Sequence, residues 1–241
     1  MDSIRSILIN QADSVAVALD IKIVAEKIKK IFPRCNVDIR PLFVYETALE
    51  QAKIVDIKQP FEKQQNLEQY NSMLAIPLYD GFVMQRVFSE LIPSEESDLE
   101  DVHIIFTSLL PCTFNEDDWR YHGRAAICGT PSIISTTGIV EALAKPREFY
   151  LAQIGSVRTD NVNLKKKFAG RFIDYDDRRM ITAASINYAL QAIFFFITDG
   201  EPFCNDKDCR LYNAHWQEEL IHIIEKRTLC SNHKNLVNKF Q

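Results

Sequence analysis

Apolar and polar residues follow two different periods along this chain, and the period sets the element at each point. Residues 3–10 (SIRSILIN) alternate closely enough for a strand. Over 19–32, Ile21, Val24, Ile28 and Ile31 recur at helical spacing with lysines on the other side, and Pro33 stops the helix. A short strand at 35–44, limited by Pro41, and a short helix at 45–53 follow. Residues 54–75 are polar, glutamine-rich and poorly periodic, which predicts a loop or an irregular hairpin. An amphipathic helix spans 80–92, with Phe82, Met84, Val87, Leu91 and Ile92 inward.

The acidic run 93–101 reads as a solvated loop, and 102–110 (VHIIFTSLL) as a buried strand. Residues 115–124 are turn-like, 125–136 form a broken strand, and GIVEAL (138–143) begins a helix that ends before Pro146. The run DYDD (174–177) supplies an N-cap for a helix from 178 to about 198, and a last helix spans 213–226 with Asn213 as candidate cap. Strands alternating with helices over the first 150 residues predict an α/β (α+β) domain, a mixed sheet layered with helices. The expected division is a body over 1–199 and a small C-terminal segment over 200–241 packed on it.

Composition narrows the function classes. At 241 residues, 46% apolar and 25% charged, the chain reads as an ordinary globular protein. Its net charge of −5 supplies no global field for nucleic acid or an anionic membrane, although 226–239 is locally basic. Seven glycines leave little room for phosphate loops, and no glycine-rich nucleotide motif occurs. The N-terminus lacks the basic start and apolar core of a signal peptide, which points to the cytoplasm. The most apolar run, 181–197, is interrupted by Thr182, Ser185, Asn187 and Gln191, so it reads as a buried helix and not a membrane span.

Six cysteines occur, and in a reducing compartment clustered ones suggest metal more than disulfides. Cys35, Cys112 and Cys128 stand alone and read as core. Cys204, Cys209, Cys230 and His233 form C-x4-C-x20-C-x2-H. Two short ligand pairs joined by a spacer are the grammar of tetrahedral Zn2+: each pair spans a tight turn and the spacer brings the second pair around the ion. Four protein ligands leave no open position, so one zinc held there is structural.

The C-terminal third resembles the archaemetzincins, zinc metallopeptidase-like proteins whose motif runs H-E-x-x-H-x-x-G-x-x-H, then C-x4-C and, further on, C-x2-C. Cys204, Cys209 and Cys230 match its structural-zinc cysteines, His233 stands where the last cysteine would be, and Leu211 stands where the family has methionine. Counted back from Cys204, the resemblance puts the three zinc histidines at Phe203, Ile197 and Ile193, the general-base glutamate at Phe194 and the glycine at Gly200. Only the glycine is present. Phe and Ile can neither hold a metal nor take a proton from water. The resemblance therefore implies a metzincin-like architecture with a C-terminal zinc knuckle, no peptidase activity, and a binding or scaffold role with a protein partner as the open class.

A second reading is an enzyme of another class in a remodelled cleft. His215, Glu218, Glu219 and His222 fall at i, i+3, i+4 and i+7 of the last predicted helix and would share one face, where two histidines with carboxylates could hold a second metal. An ordinary solvated face is the simpler explanation of them. Asp174 in DYDDRR and the Tyr121–Arg124 turn are weaker candidates, explained by helix capping and by turn composition.

Overall fold

The computed structural model describes residues 4–13, 18–42, 48–54, 76–155 and 166–240. The strands are β1 (Ser6–Gln11), β2 (Asn36–Leu42), β3 (Leu78–Asp80), β4 (Asp101–Thr107), β5 (Leu110–Asn115), β6 (Arg120–Gly123), β7 (Ala126–Ile127) and β8 (Ser132–Ser135). The helices are α1 (Ile21–Ile31), α2 (Gly81–Leu91), α3 (Thr136–Glu141), α4 (Arg147–Gly155), α5 (Arg178–Ile197), α6 (Gln217–Lys226) and α7 (Ser231–Asn238).

Five strands form the main sheet in the order β2-β1-β4-β8-β7, parallel except for the edge strand β7. A second sheet, β3-β5-β6, stands beside it. The main sheet is covered on both faces, and the residues of β4 divide between two cores. Val102, Ile104 and Phe106 join the larger core with α1 and α5, while Ile105 joins a smaller core with Met84, Val87 and Phe88 of α2. A strand buried on both sides reads as a continuous apolar run, which is why its sequence shows no alternation.

At the centre lies α5. Asp177 caps it by accepting the Met180 N–H at 3.0 Å. It packs on α1, α3, α6, β4 and β8. By length and composition alone it could cross a membrane, yet most of it is buried inside the fold.

The mixed α/β class read from the sequence is the observed one, and several elements differ in detail. Residues 115–124 are not simply a turn: β5 and β6 pair antiparallel, with Phe114 opposite Tyr121. The acidic tip hid the strands on either side of it. The apolar run 102–110 is shared by two strands, the chain breaking at Ser108, whose N–H donates to the Asp13 carboxylate. Of the helix expected at 45–53, the described part is a 3-10 turn at Ala48–Ala52. The expected loop at 54–75 lies, apart from Ile54, outside the described residues. The short helices α4 and α7 were missed, because neither carries a long apolar stripe.

Candidate functional site: a metal centre and a groove

The C-terminal turns assemble one cluster from four distant positions. After α5 the chain reverses through Asp199 (φ 53°) and Gly200 (φ 99°), the second a conformation that glycine adopts without strain. Cys204 then bridges to Tyr212, and Cys209 to Thr228, so both cysteines sit on short backbone pairings. Between them Asp206 accepts the N–H groups of Asp208 and Cys209, closing the turn. Cys230 stands at the N-cap of α7, which puts His233 one turn on, over the same end of the helix.

Cys204 Sγ lies 3.8 Å from Cys230 Sγ, and His233 Nδ1 lies 3.7 Å from Cys209 Sγ and 3.0 Å from Cys230 Sγ. The four donor atoms all lie within 4.8 Å of one another. Zinc bonds of about 2.3 Å to sulfur and about 2.0 Å to nitrogen place tetrahedral ligands about 3.5–3.8 Å apart. The backbone N–H groups of Asp206 and Cys230 point at the sulfurs of Cys204 and Cys209, each at 3.4 Å, a supporting shell of the kind that steadies thiolates.

Burial pushes the Cys204 thiol up to about 12, raises Cys209 and lowers His233, which keeps that imidazole neutral. For Cys230 burial also acts upward, but hydrogen bonds from the backbone of His233 and from the neighbouring thiols outweigh it, so this thiol falls. A central cation would reverse the upward shifts, because it stabilises thiolate. Three soft sulfurs and a neutral imidazole are the donor set of zinc. The Phe194 and His233 rings meet edge to face with centroids 5.2 Å apart, so the cluster rests directly on the core.

A groove of about 570 Å³ lies beside the edge strand, lined by β7, by one face of α5 and by the chain around Gly200–Phe203 and Asn213–His215. The α5 residues facing it are Tyr188, Gln191 and Phe195. The positions counted back from Cys204 do not all face this groove. Ile193 and Phe194 are fully buried in the main core and Ile197 packs against it; only Phe203 and Gly200 of the counted positions line the groove. The described lining includes no aspartate or glutamate.

The second candidate face does not form. The helix α6 begins at Gln217, after His215, and Asn213 is not its cap. Glu219 accepts the N–H groups of His215 (2.9 Å) and Trp216 (3.1 Å) and thereby caps the helix itself. Glu218 pairs with Arg171 at 2.7 Å, and His222 with Asp208 at 2.6 Å. Among the described residues only the Cys204 cluster gathers three or more metal-ligating side chains. Tyr121–Arg124 belongs to β6 and the residue after it, with His122 paired to Asp118 at 2.8 Å.

One buried residue escaped sequence reasoning. The Gln217 side chain donates to the carbonyls of Ile139 (2.8 Å) and Val140 (3.1 Å) and accepts the Ile173 N–H, tying α6 to the end of α3. A polar residue at a helix start carries no mark of such burial.

Cys128 is the groove's thiol, and burial pushes it up to about 12. At pH 8 the thiolate fraction is then on the order of 10⁻⁴, too small for a working nucleophile. Alkylation of Cys128 by iodoacetamide, followed by mass spectrometry, is expected to stay slow at pH 8 and to speed up as pH rises toward that value.

No curated protein matches the chain. Among solved structures, the chain is similar to the archaemetzincin AmzA of Methanopyrus kandleri, at 9% identity and a TM-score of 0.49, over 98% of this chain and 94% of that one. Residues 4–240 match the sequence profile of a family described as "Probable metallopeptidase family (DUF6775)". Since the match runs over nearly the whole length, the chain belongs to that metallopeptidase-like family.

Proposed function

We propose that this protein is a non-catalytic member of its family, holding one structural zinc on Cys204, Cys209, Cys230 and His233 and keeping the groove beside β7 as a binding surface. In this reading residues 200–241 are a zinc-stapled segment packed on a 1–199 body. The observation that carries it is the chemistry of the groove. Metal-assisted hydrolysis needs an open metal position and a carboxylate or similar base for the attacking water. The groove-facing residues of α5 are Tyr188, Gln191 and Phe195, the described lining offers no carboxylate, and its one histidine, His215, is joined there by no second histidine. The cluster that does suit a metal has four protein ligands, which suits a staple and not a Lewis acid.

The test combines metal analysis of natively purified protein with a peptidase assay on an unfolded protein substrate in added zinc. About one zinc per chain and no turnover are expected. Absence of zinc overturns the staple, and turnover that a chelator abolishes overturns the loss of catalysis.

A further inference from the structure

On the opposite face of α5 lies a second cavity, of about 670 Å³, with a different character. Its walls come from α1 (Ile23, Lys27), the first turns of α5, the loop after Cys209, and the end of α6. Taking 100° per residue, the residues facing it, Arg179, Thr182, Ala183 and Ile186, lie roughly half a turn from Tyr188, Gln191 and Phe195. It is therefore separate from the groove.

Five cations line it, Lys27, Arg178, Arg179, Arg210 and Arg227, against one carboxylate, Asp20. That carboxylate is engaged as the cap of α1, accepting the Ile23 N–H at 3.2 Å. The whole chain carries a net charge of −5, so this concentration runs against its composition. Three arginines elsewhere are answered by acids: Arg5 by Asp98 and Asp101, Arg40 by Asp38 and Glu96, Arg171 by Glu148 and Glu218. Among the described residues none of the five cavity cations forms an ion pair. Two are held in place by neutral acceptors instead. Arg178 donates to the Leu19 carbonyl at 3.3 Å, and Arg210 Nε donates to Asn187 Oδ1 at 2.7 Å, which leaves the rest of its guanidinium fork unused.

We infer that this cavity is a binding site for a phosphate ester carrying two or more negative charges, of about nucleotide size. Uncompensated cations held close together repel one another, and a multivalent anion relieves that repulsion where a single carboxylate could not. Arginine forks match phosphate oxygens in pairs. The volume is that of a small-molecule site, in the usual range of about 300–1,000 Å³. Ile23, Ala183, Ile186 and Ile224 give an apolar wall for the body of the ligand. A single local pocket on an acidic protein does not suit a long polyanion, which needs a positive track along the surface.

The test is calorimetric titration of the purified, metal-loaded protein with ADP, with adenosine, and with phosphatidylcholine vesicles that do or do not contain phosphatidic acid. ADP is expected to bind and adenosine not to, with affinity falling as salt rises. The Arg179→Gln/Arg227→Gln double variant is expected to weaken ADP binding at least tenfold with its melting temperature unchanged. Should that variant unfold, Lys27→Gln, a single change at an exposed position, is expected to weaken binding in the same direction. Binding to the phosphatidic-acid vesicles in place of ADP assigns the ester to a lipid headgroup. The inference is overturned if neither ADP nor those vesicles bind at millimolar phosphate, if adenosine binds as well as ADP, or if the folded variants bind as the parent does. Zinc content and peptidase activity do not enter these readouts, so the result stands apart from the proposed function.

Discussion

Stripping the metal with a strong chelator is expected to lower the melting temperature by about 10 °C, roughly 3–5 kcal/mol for a chain of this size, and to open residues 200–241 to protease. Small zinc modules gain about 10–16 kcal/mol from the ion and are unfolded without it. The loss here is smaller because the segment has a second anchorage. Cys209, Leu211, Leu220 and Val237 belong to the main core and stay apolar whether or not a metal is bound. Metal still matters, because without it three partly or fully buried thiols face one another with only weak S–H contacts. Cys209→Ser is expected to reproduce the effect most fully, since Cys209 is the buried member. Scanning calorimetry with metal analysis before and after chelation checks this. An unchanged melting curve after complete loss of metal would remove the staple from the account of stability.

Phe194→Ala is expected to cost about 3–5 kcal/mol, the range for emptying a large buried aromatic position. Phe194 is fully buried between the main core and the His233 ring, so the cavity would loosen core and knuckle together. Phe194→Glu separates two views of this position. If Phe194 occupied the place of a general base, the glutamate would enter the groove and be tolerated. Buried as it is, the carboxylate has no partner in an apolar core, and the variant is expected to be unfolded at neutral pH. Phe195→Ala is the control. Half-buried and facing the groove, it is expected to lose far less stability. Urea unfolding of the three variants gives the order directly, and a folded Phe194→Glu protein would refute the placement.

Which residues of α5 face the groove was not legible in the sequence. Counting residues back from Cys204 crosses Asp199 and Gly200, both at positive φ, and a reversal there breaks any constant relation between spacing and facing. The helix offered no correction, because α5 is apolar on nearly every side and so has no stripe to orient it. By contrast α1 was legible, since it turns one apolar face inward, and α2 was legible in part: Met84 and Val87 are buried as read, but Phe82, read as inward, is 64% exposed, and Phe88 takes the core place instead. The gathering of Cys204, Cys209, Cys230 and His233 was legible too. Its ligands come in short pairs on tight turns, so spacing constrains geometry within each pair. The face of His215, Glu219 and His222 failed for the opposite reason. It assumed one continuous helix, while Glu219 reaches back to cap a helix that starts after His215. The cationic cavity could not be read at all, because Lys27, Arg179 and Arg227 meet only once the chain has folded.

The all-round burial of α5 sets an order on biosynthesis. A nascent chain on the ribosome completes this 20-residue apolar helix before it has made α6 and the cysteine turns that cover part of it. Strands β1 and β4 with α1 and α3 are already available to shield one side, but the other stays bare until residues 217–226 have been added. During that interval the segment is long and apolar enough to be taken for a membrane span or to stick to another copy of itself. Translation speed and chaperone contact over these codons are therefore expected to change the yield of folded protein.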